Sequence, residues 1–242
     1  MREIRIYQPG KYIVGDTVLL TDAASAHLGA ALRIQPGAFI TLFAGDGWQY
    51  ISRIISINKR KATVVVTAEQ QVNRESNLNL KLIQTIPKGD KMEWIVQKAV
   101  ELGVASILPL ITQHSSYKIS AERLLKKYHQ WSGIIISACE QCGRNRLPIL
   151  HHPLKLQDFA NQSHPGIGYV AEPKIGQPWC NYTQPTEEVS ILIGPEGGFY
   201  STELTAILDL GFKPLKLGPR ILRTETAAIT AINLLQTIWG DI

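Results

Sequence analysis

The sequence predicts an α/β protein in two parts, a small β-rich domain over residues 1–72 and a larger domain over residues 73–242. The first seventy residues hold several short strand patterns separated by turn signals, which is typical of a small barrel. From Leu78 onward strand patterns alternate with helix patterns, which indicates a mostly parallel sheet covered on both faces. The polar, aperiodic stretch 69–77 is interpreted as the linker.

Alternation and turn residues predict the elements of the first domain. EIRIY alternates apolar and polar residues, AFITLFAGDGWQYISRIISI predicts two strands joined at Gly45-Asp46-Gly47, and ATVVVTA predicts a further strand. Thr21 or Asp22 is a helix cap followed by alanine-rich spacing, which predicts one short helix. Pro36-Gly37 is expected to end that helix.

The second domain alternates two kinds of pattern. Strands are predicted in NLKLIQTIP, VASILPLIT, IGYVAEP, VSILIGPEGG and KPLKLGP. Helices are predicted over 90–102, 120–143, 201–210 and 224–239. Ser201 is the predicted N-cap of the third helix, Gly211 lies just past its end, and Gly240 closes the last helix.

Composition and charge limit the classes of protein that fit. No apolar run is long enough for a signal peptide or for a membrane span of about 20 residues. Three cysteines do not make a disulfide framework, so a reducing cytoplasm is expected. The net charge of +5 permits a polyanionic partner, and residues 1–72 carry +3 of it, from eight Lys+Arg against five Asp+Glu.

Basic residues of the first domain are candidates for a surface that faces RNA phosphates. They are Arg2, Arg5, Arg33, Arg53 and the run Lys59-Arg60-Lys61. A solvated face of a small barrel has the same composition, and charge alone leaves both interpretations open.

Three predicted strand ends carry glycine or proline, in YVAEP, ILIGPEGGF and KLGPRILRTET. Because the carboxyl ends of parallel strands meet at one edge of a sheet, we expect these loops to line one crevice. Glycines let the backbone approach a ligand closely, and the loops themselves contain no lysine to hold a phosphate. The pattern is neither a Walker A loop nor G-x-G-x-x-G. It predicts a site for an adenosine-type cofactor without a phosphate tail.

Other candidate sites are weaker. Cys139 and Cys142 form a lone C-x-x-C in a predicted helix, without a second Cys/His pair at metal spacing, so core packing or a helix surface is expected and no metal is predicted. The histidines have no nucleophile-elbow context, which argues against a hydrolase triad.

Four blocks in order along the chain resemble the bacterial 16S ribosomal RNA uridine-N3 methyltransferases, the small-subunit methyltransferase E family of the SPOUT superfamily. The blocks are HLGAALRIQPGAFITLFAGDGWQY (27–50), IPKGDKMEWIVQKAVELGV (86–104), ACEQCGRNRLP (138–148) and LIGPEGGF…LGPRILRTETAAITAI (192–232). They cover nearly the whole chain, and the last block is highly specific.

The resemblance implies a PUA-like small β-barrel that binds RNA, followed by a SPOUT α/β methyltransferase domain with a deep trefoil knot. It also implies S-adenosyl-L-methionine as the cofactor and a homodimer. The substrate would be N3 of a uridine in the decoding region near the 3′ end of 16S rRNA, either free or in the small ribosomal subunit. A SPOUT enzyme for another RNA position and a non-catalytic RNA-binding assembly factor are the alternatives.

On this interpretation the three loops surround the cofactor. The cofactor-binding residues predicted are Val170, Ala171, Glu172, Ile193, Gly194, Pro195, Gly197, Gly198, Leu217, Gly218, Ile221, Leu222 and Thr224. The RNA-binding residues predicted are Arg2, Arg5, Arg33, Lys88, Arg144 and Arg146.

Four charged residues are the catalytic candidates. Arg223, with Arg220 beside it in the loop, is predicted to stabilise the anion that forms when uridine N3 loses its proton, because a guanidinium stays charged in any surroundings. Glu225 or Glu196 is expected to take that proton or to orient an arginine. An ion pair that only holds the loop is the alternative role for Arg223.

Overall fold

Residues 3–58, 61–113, 120–181 and 188–242 are described in the computed structural model of the chain. They divide into two units. The first unit comprises Met1–Glu75 together with Cys139–Leu147, and the second comprises Ser76–Ala138 and Pro148–Ile242. The short segment Cys139–Leu147 therefore belongs to the first unit, although more than sixty residues separate it from the rest of that unit in the sequence.

A five-stranded sheet forms the first unit, in the order β1-β3-β4-β5-β2. The pair β1–β3 is parallel, and the pairs β3–β4, β4–β5 and β2–β5 are antiparallel. The strands are β1 Arg5–Tyr7, β2 Thr17–Leu19, β3 Phe39–Phe43, β4 Trp48–Ile57 and β5 Ala62–Gln71. The hairpin predicted at Gly45-Asp46-Gly47 is confirmed, and both glycines have positive φ, 88° and 99°, a conformation that an L side chain rarely adopts. Alternate residues such as Ile40, Leu42 and Ile54 form the core of this unit.

The predicted helix of the first unit is present but shorter than expected. It begins with α1, Asp22–Ala26, where the Thr21 hydroxyl accepts a hydrogen bond from the Ala24 N–H at 3.3 Å, and continues as a π-helical turn, His27–Ala31. The prediction that it runs to Pro36-Gly37 is wrong. The Leu32 N–H bonds to the His27 carbonyl in a wider i→i−5 turn, and Arg33 then takes φ 51°, which ends the helix.

The second unit is built on a parallel sheet, in the order β12-β10-β11-β6-β7-β8 with β9 paired to β7. This confirms the predicted parallel sheet. Its strands are β6 Leu80–Thr85, β7 Ser106–Ile111, β8 Ile149–Leu150, β9 Leu154–Lys155, β10 Ile167–Ala171, β11 Val189–Ile193 and β12 Lys213–Leu215. Sequence patterns did not predict β8 and β9, because two residues are too few to show a period.

Helices cover both faces of this sheet. They are α2 Lys91–Glu101, α3 Ala121–Cys142, α4 Leu156–Ala160, α5 Ser201–Asp209 and α6 Thr224–Trp239, with a 3-10 turn at Trp179–Asn181. Leu156, Phe159 and Ile207 of α4 and α5 pack with Val170 and Leu192 of the sheet. On the opposite face the ring of Trp239 in α6 lies 5.9 Å from that of Tyr169.

The predicted cap of α5 needs one correction. Ser201 is the first helical residue rather than the N-cap, which is Tyr200. The Glu203 carboxylate reaches back and accepts the Tyr200 N–H at 3.0 Å, so a side chain inside the first turn satisfies the exposed donor. Its other oxygen accepts the Gln113 N–H at 2.8 Å. The predicted bounds of α6 and its end at Gly240 are confirmed.

Candidate active site

A pocket of about 280 Å³ lies where the chain leaves strands β10, β11 and β12. Because these strands are parallel neighbours, their carboxyl ends meet at one edge, which is where ligands bind in open α/β sheets. Of the thirteen residues predicted to hold a cofactor, eleven line this pocket: Ala171, Glu172, Ile193, Gly194, Pro195, Gly198, Leu217, Gly218, Ile221, Leu222 and Thr224.

The two other predicted residues do not line the pocket. Val170 is fully buried and packs into the sheet core with Leu192 and Phe159. Gly197 is exposed in the loop that follows β11. Pro173, Phe199, Leu215 and Ala227 are lining residues that the sequence did not single out.

Thr224 joins two walls of the pocket. Its hydroxyl donates to the Gly194 carbonyl at 2.8 Å and accepts from the Gln84 side-chain amide at 3.0 Å. Gln84 is fully buried at the carboxyl end of β6 and was missed in the sequence, because a polar residue inside a strand carries no motif. The bonds fix the first residue of α6 against the glycine-rich loop after β11.

Glycine geometry shapes the walls of the pocket. A Cβ at position 194 would lie 2.9 Å from the Phe199 ring, closer than any ordinary contact. Gly218 has φ 115° and Gly198 has φ 72°, both in a region that favours glycine. The walls are mainly apolar with backbone polar groups between them, which suits a neutral heterocycle better than a phosphate.

Arg220 and Arg223 both line the pocket and are exposed. Arg223 is the N-cap residue of α6, with extended backbone at φ −65° and ψ 154°. Within the described residues neither arginine forms an ion pair. Two guanidinium groups at the rim of an apolar pocket are suited to stabilise negative charge on a bound group.

Glu196 and Glu225 are brought together by Lys91, which the sequence did not single out. The Lys91 Nζ lies 3.1 Å from Glu196 Oε1 and 3.4 Å from Glu225 Oε2. Burial opposes ionisation of Glu196, but its own backbone N–H, the Lys91 ammonium and the Lys88 N–H outweigh that cost and lower its pKa. The hydrogen bond to Glu196 in turn raises the pKa of Lys91.

The predicted RNA-binding residues differ in exposure. Arg33, Lys88 and Arg146 are exposed, as is Arg53. Arg2 and the pair Lys59-Arg60 lie outside the described residues.

Arg5 and Arg144 require a correction, because both are buried inside the first unit. The Arg5 guanidinium donates to the side chains of Gln49, at 3.0 Å, and Asn145. Arg144 Nε donates to Glu75 at 3.0 Å. Burial lowers the pKa of Arg5. These side chains hold the segment Cys139–Leu147 to its unit and are not on a phosphate-facing surface.

Of the two cysteines of the C-x-x-C, Cys139 is buried and Cys142 is partly buried. Cys139 is fully buried, and burial raises the pKa of its thiol to about 12, so it stays protonated. Across the described ranges no group of three His, Cys, Asp or Glu side chains is placed to hold a metal ion. No helix within those ranges is both long and apolar enough to span a membrane.

Two family profiles match the chain. A family described as an RNA methyltransferase domain matches residues 74–236, and a family described as an RNA methyltransferase PUA domain matches residues 20–67. Among curated proteins, the ribosomal RNA small subunit methyltransferase E of Buchnera aphidicola (from Schizaphis graminum) is 34% identical, over 98% of this chain and 97% of the relative. The protein of the same name from Bacillus subtilis is 29% identical, over 90% and 88%.

Solved structures agree with these matches. A methyltransferase from Legionella pneumophila, in complex with the cofactor S-adenosylmethionine, is 45% identical with a TM-score of 0.97 and covers 100% of both chains. A ribosomal RNA small subunit methyltransferase E from Neisseria gonorrhoeae, bound to S-adenosylmethionine, is 36% identical with a TM-score of 0.92 over 100% of both chains.

Proposed function

The chain belongs to the ribosomal RNA small subunit methyltransferase E family, and on this premise we propose that it methylates N3 of a uridine in 16S rRNA, in the decoding region near the 3′ end. S-adenosylmethionine is the methyl donor. The observation that carries the proposal is the pocket at the ends of β10, β11 and β12, which combines apolar walls, glycine loops and two rim arginines.

The residues present fit this cofactor. The absence of a side chain at Gly194 lets the Phe199 ring pack in the pocket wall, and the apolar side chains Leu217, Ile221 and Leu222 offer walls for an adenine ring. When bound, S-adenosylmethionine supplies a methyl group activated by its sulfonium charge. The segment that leads to α6 places Arg220 and Arg223 at the rim of the same pocket, where a nucleotide would enter.

The protein's chemical task at uridine is to stabilise a developing anion. N3 carries a proton that must leave before the nitrogen can attack, and the resulting charge spreads over O2 and O4. We assign stabilisation of that charge to Arg223, with Arg220 as its neighbour. The lowered pKa of Glu196 makes it a weak proton acceptor, so we assign it a role in orienting the loop and leave proton removal to Glu225 or to water.

RNA binding is assigned to the first unit and to exposed basic residues. The first unit holds eleven Lys+Arg against seven Asp+Glu, an excess that favours a polyanion. Arg33, Arg146 and Lys88 are the exposed members of the predicted set. The substrate is 16S rRNA, free or in the small ribosomal subunit in the cytoplasm, and the protein acts as a homodimer with a SPOUT trefoil knot.

Nucleoside mass spectrometry of 16S rRNA from a deletion strain tests this proposal. We expect 3-methyluridine to disappear from the 3′ region and to return when the wild-type protein, but not Arg223→Ala, is supplied. Loss of a different modified nucleoside would identify a SPOUT enzyme for another RNA position. An unchanged nucleoside profile, with no binding of S-adenosylhomocysteine, would favour a non-catalytic assembly factor.

A further inference from the structure

One ammonium group links two separate walls of the pocket. Lys91, the first residue of α2, contacts Glu196 on the loop after β11 and Glu225 in the first turn of α6, at 3.1 and 3.4 Å. We infer that Lys91 is a positioning residue, which fixes the glycine-rich loop against the start of α6 and thereby sets the place of Arg223. This inference rests on the proposed methyltransferase function.

The two contacted carboxylates lie beside residues that matter for the site. Glu196 lines the pocket itself, and Glu225 directly follows Arg223 and Thr224, which also line it. The same two segments are already joined by the bond from the Thr224 hydroxyl to the Gly194 carbonyl, at 2.8 Å. Lys91 adds a second connection through side chains, so the segments are held at two points and cannot pivot about one.

The Lys88 backbone gives Glu196 a further fixed contact, since its N–H donates to Glu196 Oε1 at 3.2 Å. The carboxylate is therefore oriented from the loop before α2 as well as by the ammonium. The side chain of Lys88 is exposed and forms no ion pair within the described ranges.

Among the described residues, Lys91 is the cation that pairs with both carboxylates. In the described part of the chain, neither Glu196 nor Glu225 has another ion-pair partner. The nearby acids Asp90 and Glu93 are paired instead with Lys127 of α3, each at 3.1 Å. Removing the Lys91 charge would thus leave two carboxylates facing one another without compensation, and one of them would hold a proton more readily.

The pH dependence follows from these charges. Glu196 ionises below the ordinary carboxyl range and Lys91 keeps its proton above the ordinary lysine range, so the contact is intact through neutral pH. Without Lys91, repulsion between the carboxylates grows as pH rises and both ionise. Only a charge-mediated role produces this dependence, because a role of Lys91 in packing would be independent of pH.

Calorimetric titration of the full-length protein with S-adenosylhomocysteine, from pH 5.5 to 8.5, tests the inference. We expect wild-type affinity to stay level and Lys91→Met to bind about fivefold more weakly at pH 8, recovering toward pH 5.5. Lys91→Arg should keep wild-type affinity. The double variant Lys91→Met/Glu225→Gln should bind more tightly than Lys91→Met at pH 8, because one of the two opposed charges is gone. In methylation assays, Lys91→Met should lose a larger factor in kcat than in cofactor affinity, because the loss of Lys91 also shifts Arg223.

Lys98→Met is the matched control, since Lys98 lies on the same helix and, within the described ranges, forms its ion pair with Glu101 alone, at 2.8 Å. It should bind like the wild type at every pH. Unchanged affinity of Lys91→Met, or a loss that is equal at all pH values and is not relieved by Glu225→Gln, would overturn the inference. Wild-type protein that fails to bind S-adenosylhomocysteine would overturn the proposed function and this inference with it.

Discussion

Substitution of Arg223 can distinguish a role in cofactor binding from a role in the methyl transfer. This residue is exposed at the pocket rim and forms no ion pair among the described residues, so its removal should leave the loop in place. If it stabilises the uridine anion, Arg223→Ala should lower kcat by about a hundredfold while affinity for S-adenosylhomocysteine barely changes. Arg223→Lys should recover only part of the loss, because an ammonium cannot bridge two acceptors.

The pH profile of Arg223→Ala adds a check. Raising the pH should partly rescue this variant, since solvent then helps to remove the N3 proton. A variant that instead loses cofactor affinity and unfolds at a lower temperature would show that Arg223 holds the loop. The catalytic role would then fall to Arg220.

Gly194 is expected to be intolerant of any side chain. A Cβ there would meet the Phe199 ring at 2.9 Å, and Phe199 could yield only by moving from its position in the pocket wall. Gly194→Val should therefore weaken S-adenosylhomocysteine binding by at least tenfold in calorimetry. The control is Gly133→Ala in α3, where a Cβ meets nothing within 4 Å. It should bind normally and be more stable by roughly 0.5–1 kcal/mol.

At the scale of elements, the segment Cys139–Leu147 holds two arginines in different surroundings. Arg146 is exposed, whereas Arg144 is buried against Glu75. Arg146→Gln should weaken rRNA binding and reduce the slope of log affinity against log salt concentration by about one, measured by filter binding. The control Lys126→Gln, on exposed α3 surface paired with Glu122, should leave the slope unchanged.

Arg144→Gln should behave differently from Arg146→Gln. It leaves the partly buried Glu75 carboxylate without its cation, which costs about 3 kcal/mol in the free energy of unfolding. The slope of log rRNA affinity against log salt concentration should match that of the wild type if the variant is assayed well below its melting temperature. Equal slopes for Arg146→Gln and the wild type would remove this segment from the RNA-binding surface.

For the whole molecule we expect a symmetric dimer. Ile221 is 86% exposed at the pocket rim and Trp94 is 46% exposed on α2, and a partner subunit would cover such apolar side chains. Light scattering at micromolar concentration should give twice the chain mass of 26.9 kDa. A mass near that of one chain would contradict the proposed assembly.

Stability should also depend on pH through two histidines of the second unit. Burial lowers the pKa of His151 and of His164, whose Nε2 contacts the Phe159 carbonyl at 2.9 Å. Below the ordinary pKa of 6.5 the unfolded chain binds protons more readily than the folded chain. The contribution of these histidines to the free energy of unfolding is therefore fully present above pH 6.5 and is lost as the pH falls below it. His164→Phe keeps a ring against Phe159. Its melting temperature should depend less on pH between pH 7 and 5 than that of the wild type.

Local patterns predicted much of the second unit. The alternation of strands and helices was enough for the parallel sheet, since consecutive parallel strands need a long crossover connection, which is usually a helix. Glycine and proline at three strand ends were enough to place eleven predicted residues around one pocket, because parallel strands bring their carboxyl ends to one edge. The knot and the uridine specificity were implied by resemblance alone and stay predictions.

Only the tertiary structure decided which charged groups meet. Arg5 bonds to Asn145 across 140 residues of chain, and Lys91 to Glu196 across 105. In the sequence Arg5 looked like any basic surface residue and Lys91 like an ordinary helical lysine. Periodicity and capping are set by neighbours within a few residues, whereas the burial and partners of a charge are set by packing between distant segments. The sequence by itself therefore determined the sheet and its ligand-binding edge. Packing between distant segments determined which charged side chains lie at that edge and which are buried and stabilise the fold.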